Sequence, residues 1–269
     1  MTQHGTRAID PGEHLVEQLE ALKAAAQVAC GGSGRIASRN ARFDWQAARL
    51  WAGPVAQSSP LPIGTAPMPL VAPLAAAHDP AVAELAAYFA TTLGFAPNSV
   101  LTMQRRPAIA RAFTDLNRAV MDNHGRVTSE LKRLVGHVAS RVAGCRYCEA
   151  HTIRAAARFG AQQGADERRL DEVWSFRTSA LYSPAERAAF EFACAAASVP
   201  GAVNAEIGAE LRRHWDDGEI VELTGVVALF GFLNRWNDAM ATELETPAAA
   251  DGARWLAAQG WSPGKHGGA

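Results

Sequence analysis

The chain has 269 residues, enough for one large or two small domains, and its 48% hydrophobic and 20% charged residues are ordinary for a globular protein. A net charge of −1, with both signs interspersed, predicts neither a nucleic-acid partner nor an anionic membrane surface. No apolar run reaches the ~18 residues of a spanning helix, and the N-terminus lacks a charged-then-apolar signal pattern. We therefore expect a cytoplasmic protein.

The first part of the chain, residues 1–60, is predicted to be a helical appendage with a linker. A helix suits the stretch from about Pro11 to Cys30, and the stretch from Gly53 to Pro73 is rich in Pro, Gly and Ser. Proline fixes φ and removes a hydrogen-bond donor, so the second stretch is predicted to be linker or extended coil. We expect the main domain at residues 61–247 and a C-terminal tail at residues 248–269.

From Leu61 onward the pattern predicts one helix after another. Capping residues, prolines at the first helical turn and apolar positions at helical spacing mark each start. The expected caps or first residues are Asp79-Pro80, Pro107, Thr128, Cys145, Asp166, Ser183, Asn204 and Asp216. Since no alternating β-branched segment competes with these helices, the fold class is predicted to be all-α.

The segment Gly144–Thr152, GCRYCEAHT, carries the clearest chemical signal. Cα atoms three residues apart in a helix lie about 5 Å from each other, within the range that a disulfide tolerates. A helix N-terminus stabilises a thiolate, which favours Cys145 as the thiol of lower pKa. His151, one turn past Cys148, can take up a thiol proton. A nucleophile, a base and a resolving thiol are what dithiol peroxide reduction or disulfide exchange requires.

Three other interpretations of the cysteine pair stay open. The thiols could be inert and buried, as Cys194 is predicted to be in its Ala-rich surroundings. They could form a zinc site with His151 and a fourth ligand such as His137. They could also be a vestigial pair on a scaffold whose pocket performs other chemistry. No second CxxC and no HxxxH motif is present, so we predict neither a metal nor a cofactor.

The helix before the cysteines carries a polar stripe at positions i, i+3, i+7 and i+11: Glu130, Arg133, His137 and Arg141. One interpretation is a solvated face with intrahelical ion pairs. The other is a proton relay, because the short Ala143-Gly144 connection could bring His137 or Glu130 near the sulfurs.

A second polar cluster follows later, within FLNRWND. Its structural interpretation is an ion pair between Arg235 and Asp238, with Trp236 packed on a neighbour. The alternative places Asn234 or Asn237 in the pocket or at a subunit interface.

The stretch SELKRLVGHVASRVAGCRYCEAHTIRAA resembles the signature of the alkylhydroperoxidase D-like branch of the carboxymuconolactone decarboxylase superfamily. GFLNRWNDAMATELE and GWSPGKH are similar to the same branch, so the resemblance covers about Leu61 to His266. It implies a multi-helix bundle that assembles as a homo-oligomer: a dimer, trimer or hexamer. It also implies that Cys148 attacks a hydroperoxide, that Cys145 resolves it and that His151 transfers protons.

Three positions depart from the family pattern. Arg133 stands at the position where the family usually has a glutamate, and Glu130 lies one helical turn earlier. His151 follows the second cysteine by three residues instead of four, and Tyr147 stands where peroxidase members have a histidine. These departures bear on the proton relay and leave the dithiol intact.

The sequence therefore predicts a thiol peroxidase that reduces hydroperoxides and is regenerated by an external dithiol or thiol protein. The rivals are a non-redox enzyme or ligand-binding protein of the same fold that acts on a small organic acid, and a purely structural role. The candidate catalytic residues are Cys148, Cys145, His151, Glu130, His137 and Tyr147.

Overall fold

The computed structural model describes residues 69–75, 80–123 and 125–268. The chain divides into two units, Met1–Leu61 and Pro62–Ala269, and every described residue belongs to the second. The predicted appendage, the linker up to residue 68 and the Asp79 cap lie outside the described residues. Within the described ranges the regular structure is helical and contains no strand, which confirms the all-α prediction.

Ten α-helices and three short 3-10 turns follow one another along the described chain. The helices are α1 (Pro80–Leu93), α2 (Asn98–Met103), α3 (Pro107–Met121), α4 (Ser129–Ala143), α5 (Arg146–Gln162), α6 (Arg168–Glu172), α7 (Pro184–Ala197), α8 (Ala205–His214), α9 (Asp217–Met240) and α10 (Thr246–Leu256). The 3-10 turns are Val173–Ser175, Ala257–Gln259 and Gly264–His266.

Four of the predicted helix starts are confirmed by capping hydrogen bonds. The Thr128 side chain accepts from the backbone N–H of Leu131, and Asn204 caps α8 in the same way. Ser183 and Asp216 each form a reciprocal capping box with the glutamate three residues later. Each cap satisfies backbone donors that the first helical turn leaves free, worth about 1 kcal/mol of stability.

Helix α4 lies at the centre of the fold and packs against α5, α7 and α9. Its apolar residues Leu134, Val135 and Val138 are fully buried. At Gly136 an added Cβ would lie only 2.3 Å from the ring of Phe230 on α9. A glycine is therefore required where α4 and α9 approach each other most closely.

The turn between α4 and α5 places the cysteines. Gly144 ends α4 in the left-handed region, with φ of 75°, and Cys145 follows as the N-cap of α5. The Cys145 N–H donates to the Ser140 carbonyl, which closes the turn tightly. Cys148 consequently lies in the first turn of α5, as the sequence predicts.

The residues expected to form a C-terminal tail belong to the packed domain. Helix α10 packs against α5, and Trp255, Leu256 and Trp261 are buried. The indole of Trp261 packs directly on Gly252, because a Cβ at this position would lie 2.6 Å from the indole. Among the described residues no helix is long and apolar enough to cross a membrane.

Candidate active site

Both cysteines of the CxxC motif are free thiols buried at the start of α5. Cys148 is in hydrogen-bonding contact with Cys145, and its sulfur also accepts a hydrogen bond of 3.4 Å from the Asn237 side-chain amide on α9. Burial raises the pKa of Cys148 well above its usual value, with Cys145 adding to the rise and Asn237 opposing it. At Cys148 the desolvation of the thiolate therefore outweighs any stabilisation by the N-terminus of α5.

A buried carboxylate, Glu245, organises the polar side of the site. The Tyr147 hydroxyl donates to its Oε1 at 2.9 Å, and the Asn98 N–H donates to the same oxygen. Its Oε2 lies 2.8 Å from Nε2 of His151. Burial alone would raise the pKa of Glu245, but His151 and the Asn98 N–H hold it below the usual range. Glu245 is therefore ionised at neutral pH.

His151 lies between this carboxylate and the pocket. Its Nδ1 is 2.8 Å from the Tyr147 carbonyl, and its ring stacks on the Tyr147 ring at a centroid distance of 4.0 Å. Both ring nitrogens therefore face oxygen atoms, one of the Glu245 carboxylate and one of the Tyr147 carbonyl. Tyr147, His151 and Glu245 form one connected group, which we call the Glu245 network.

His137 lies on α4 and is fully buried. Its Nδ1 lies 3.2 Å from both the Glu149 carbonyl and the Thr152 hydroxyl. The Thr152 hydroxyl already donates to the Cys148 and Glu149 carbonyls, so His137 Nδ1–H is the donor in these contacts. Burial lowers the pKa of His137 to about 4, which keeps the ring neutral. Its contacts join α4 to the first turns of α5.

Glu130, the other candidate from α4, lies elsewhere. Its carboxylate pairs with Arg169 at 2.9 Å and packs against Gly160, three helical turns from Cys148 along α5. The polar stripe that contains it is largely internal, because Glu130, Arg133 and His137 are all buried.

A pocket opens beside Cys148 between α1, α3, α5 and α9. The empty space in the pocket and its mouth is about 690 Å³. Its walls are mainly apolar and aromatic, and the residues that contribute polar groups include Tyr88, Thr92, Ser99, Asn117, Arg133, Tyr147, His151, Thr152 and Asn237. Cys148 contributes to the wall and Cys145 does not. The pocket thus offers one thiol to a ligand and keeps the other behind it.

Two members of the site come from the C-terminal third of the chain. The structural interpretation of the FLNRWND cluster is wrong, because Asn237 reaches Cys148 and Asp238 pairs with Lys265 rather than with Arg235. Glu245 was not a candidate at all, although it is the N-cap residue of a helix with Pro247 in its first turn. The sequence signal at Glu245 is this capping pattern. It indicates that a helix starts there, but it does not indicate which residues surround the carboxylate.

Among the described residues no group of three or more His, Cys, Asp or Glu side chains is arranged to hold a metal ion. His151, the histidine of the zinc interpretation, is engaged by Glu245 and the Tyr147 carbonyl.

Comparison with known proteins agrees with the helical fold. The model of the carboxymuconolactone decarboxylase family matches residues 107–195. The crystal structure of the apo debrominase Bmp8 is 33% identical, with a TM-score of 0.62 over 68% of this chain and 95% of that one. A cysteine-to-alanine variant of Bmp8 in complex with 2,3,4-tribromopyrrole is 31% identical, with a TM-score of 0.62 over 70% and 96% of the two chains.

Two further relatives extend the comparison. A peroxidase-related protein from Ralstonia eutropha JMP134, described as an alkylhydroperoxidase AhpD core, shares the fold with a TM-score of 0.53 at 23% identity, over 61% of this chain and 85% of that one. Uncharacterized protein YnjA of Escherichia coli K12 is 31% identical over 103 residues, which span 38% of this chain and 56% of YnjA. The chain belongs to the carboxymuconolactone decarboxylase superfamily, in which it has the alkylhydroperoxidase D-like fold.

Proposed function

We propose that this protein is a dithiol oxidoreductase that reduces organic hydroperoxides, with Cys148 as the attacking thiol and Cys145 as the resolving thiol. The observation that carries the proposal is the asymmetry of the pair: Cys148 lines the pocket, whereas Cys145 lies behind it within hydrogen-bonding contact. The apolar and aromatic wall favours an organic substrate over hydrogen peroxide itself.

In the first step the Cys148 sulfur attacks the terminal oxygen of the hydroperoxide. The O–O bond breaks, the sulfur becomes a sulfenic acid and the leaving oxygen departs as an alcohol. The thiol must lose its proton and the leaving oxygen must gain one. His151 lines the same pocket, so it shuttles this proton, and the ionised Glu245 stabilises the ring while it is charged.

In the second step the Cys145 thiol attacks the sulfenic sulfur. An S–S bond forms, the S–O bond breaks and water leaves with the Cys145 proton. An external dithiol then reduces the disulfide by exchange and restores both thiols. The turn at Gly144 keeps the two sulfurs adjacent at the start of α5, so resolution requires no large movement of the backbone.

The proposal is tested by steady-state turnover of cumene hydroperoxide with dithiothreitol as reductant. Cys148→Ser should lose at least 1,000-fold in kcat/KM, on the scale found when a catalytic nucleophile is removed. Cys194→Ser is the matched control, since Cys194 is equally buried on α7 and burial raises its pKa to about 12. Turnover that survives in Cys148→Ser would contradict the role of Cys148 as the attacking thiol, and a wild type without turnover would favour the non-redox alternative of the fold.

A second candidate is reductive removal of a halogen from an apolar aromatic compound. It is favoured by the 33% identity to the debrominase Bmp8 over 95% of that chain and by the aromatic wall beside Cys148. Here the sulfur takes the halogen from carbon, the carbon gains a proton, and Cys145 displaces halide as the disulfide forms. Bromide release from a brominated pyrrole in the presence of dithiothreitol separates this activity from peroxide reduction.

We also propose that the protein assembles as a homo-oligomer. Large apolar side chains are exposed on α3 and α9, with Leu116 at 50%, Val221 at 70% and Phe232 at 40% of their full accessibility. Such side chains, grouped on two packed helices, are typical of a surface that a subunit covers. Light scattering after size exclusion measures the subunit number, and a monomer at micromolar concentration would contradict the proposal.

A further inference from the structure

The pocket extends along one face of α5, away from the cysteine. Cys148, Thr152, Ala155 and Phe159 follow one another at i, i+4, i+7 and i+11, and all four contribute to its wall. At a rise of 1.5 Å per residue, Cys148 and Phe159 lie about 16 Å apart along the helix axis. A ligand that fills the pocket is therefore elongated, with its reacting end at Cys148.

At the far end the wall contains Arg133, whose residue is only 7% exposed. Its guanidinium lies 3.7 Å from the ring centre of Phe159, and one of its nitrogens donates to the Ser129 carbonyl at 2.9 Å. In the described part of the chain it forms no ion pair with a carboxylate. The remaining N–H groups of the guanidinium are thus available to the pocket.

Other buried cations of this fold have carboxylate partners. Arg169 pairs with both Glu130 and Glu186, and the fully buried Lys132 pairs with Glu222. For Arg133, the cation–π contact with the ring of Phe159 offsets part of the cost of burying the charge. A buried charge without a counter-ion costs several kcal/mol, which a bound anion can offset.

The charge of Arg133 persists at neutral pH. Burial lowers the pKa of Arg133 to about 10, and the electrostatic interactions with Tyr88 and Asp122 oppose this decrease. Asn117 is buried in the same pocket wall, and its side-chain amide has no hydrogen-bond partner in the described residues. Arg133, which keeps N–H donors beyond the one bonded to the Ser129 carbonyl, and the Asn117 amide thus add polar groups to a mainly apolar wall. A carboxylate accepts hydrogen bonds from both kinds of group, and from arginine in bidentate geometry.

We propose that the pocket binds an elongated apolar carboxylic acid, with its carboxylate on Arg133 and its reactive end at Cys148. The substrate class is then a medium-chain acid that carries a hydroperoxide far from its carboxylate. The part of this inference that concerns the reaction rests on the proposed function. Arg133 selects the substrate and positions it, because it lies far from the sulfur that reacts.

The test compares decanoate with 1-decanol, which share a chain and differ in charge. Isothermal titration of the reduced protein should give decanoate at least a tenfold lower Kd than 1-decanol. Arg133→Gln should abolish that preference and leave the Kd of 1-decanol unchanged, while Arg133→Lys should retain part of it. Arg118→Gln is the matched control, since Arg118 lies 4.8 Å from the ring centre of Tyr88, a pocket residue, without lining the pocket itself.

A second readout shows that the ligand occupies this pocket. Decanoate should slow the alkylation of Cys148 by iodoacetamide in the wild type, and it should do so far less in Arg133→Gln. The proposal is overturned if decanoate does not bind, or if Arg133→Gln binds decanoate as tightly as the wild type does. Cumene hydroperoxide is neutral, so its turnover does not depend on Arg133. If the wild type binds decanoate through Arg133 but does not turn over cumene hydroperoxide, the peroxidase proposal is refuted and the carboxylate site is retained.

Discussion

Two buried carboxylates of this fold invite comparison, Glu130 and Glu245. Their side chains are almost equally shielded, at 10% and 11% exposure. Glu130 faces Arg169, a guanidinium that keeps its charge at every accessible pH. Glu245 faces a phenol hydroxyl, a backbone N–H and the imidazole of His151. A proton can move only where a partner can gain and lose one, so Glu245 suits proton transfer and Glu130 suits structure.

Exchange of each carboxylate for an amide separates the two roles most strongly. Glu245→Gln should lower kcat/KM for cumene hydroperoxide by about 100-fold, because His151 then loses the charge that stabilises its protonated ring. Glu130→Gln should leave kcat/KM within about twofold and reduce the free energy of unfolding by about 2 kcal/mol, since Arg169 loses a charge-assisted hydrogen bond and keeps Glu186 as its counter-ion. Equal effects of the two variants on turnover would contradict the distinction.

Acid should destabilise the protein through His137, which belongs to neither carboxylate centre. Its pKa of about 4 in the folded protein lies below the ~6.5 of an unfolded chain, so the unfolded state binds the extra proton between these values. The stability that neutral His137 contributes is complete above about pH 6.5 and is lost as the pH falls toward 4, by about 3 kcal/mol. Urea unfolding at a series of pH values measures it, and His137→Gln should remove that part of the pH dependence.

Removal of the Tyr147 hydroxyl probes the Glu245 network more gently. Tyr147→Phe keeps the ring that stacks on His151 and deletes the donor to Glu245. One charge-assisted hydrogen bond is worth about 1.5–3 kcal/mol, so kcat/KM should fall by about tenfold. Tyr182→Phe is a useful control, because Tyr182 is also buried and its hydroxyl donates to the Arg169 carbonyl beside Glu130. A larger loss of turnover in Tyr182→Phe than in Tyr147→Phe would contradict a proton path through Glu245.

The smallest expected effect concerns Asn237. Its amide donates to the Cys148 sulfur and opposes the rise in the pKa of that thiol. Asn237→Ala should therefore raise the pKa of Cys148 further and slow its alkylation by iodoacetamide at pH 8 by about threefold, on the scale of one weak hydrogen bond. Asn204→Ala, which removes only the cap of α8, should leave the alkylation rate unchanged.

Local signals in the sequence were sufficient for the helices and for the cysteine pair. Caps such as Ser183 with Glu186, and the glycine after α4, depend on contacts within a few residues, so the pattern contains them. The prediction that a helix opens at Cys145 is confirmed for the same reason.

The rest of the site depends on contacts between distant parts of the chain. Tyr147 and Glu245 are 98 residues apart, and Cys148 and Asn237 are 89 apart, so no local periodicity links them. The polar residues of the α4 stripe suggest a solvated face when taken alone. The packing of neighbouring helices instead buries Glu130, Arg133 and His137. The balance between burial and helix dipole at Cys148 likewise depends on packing that only the fold supplies.

The central claim is that Cys148 attacks and Cys145 resolves, and intact mass under denaturing conditions tests it most directly. Reduced wild-type protein treated with one equivalent of cumene hydroperoxide should lose two hydrogens as the disulfide forms. Cys145→Ser should instead gain one oxygen, as a sulfenic acid that has no partner thiol, and Cys148→Ser should keep its mass. An unchanged mass in the wild type, or an added oxygen in Cys148→Ser, would contradict the account.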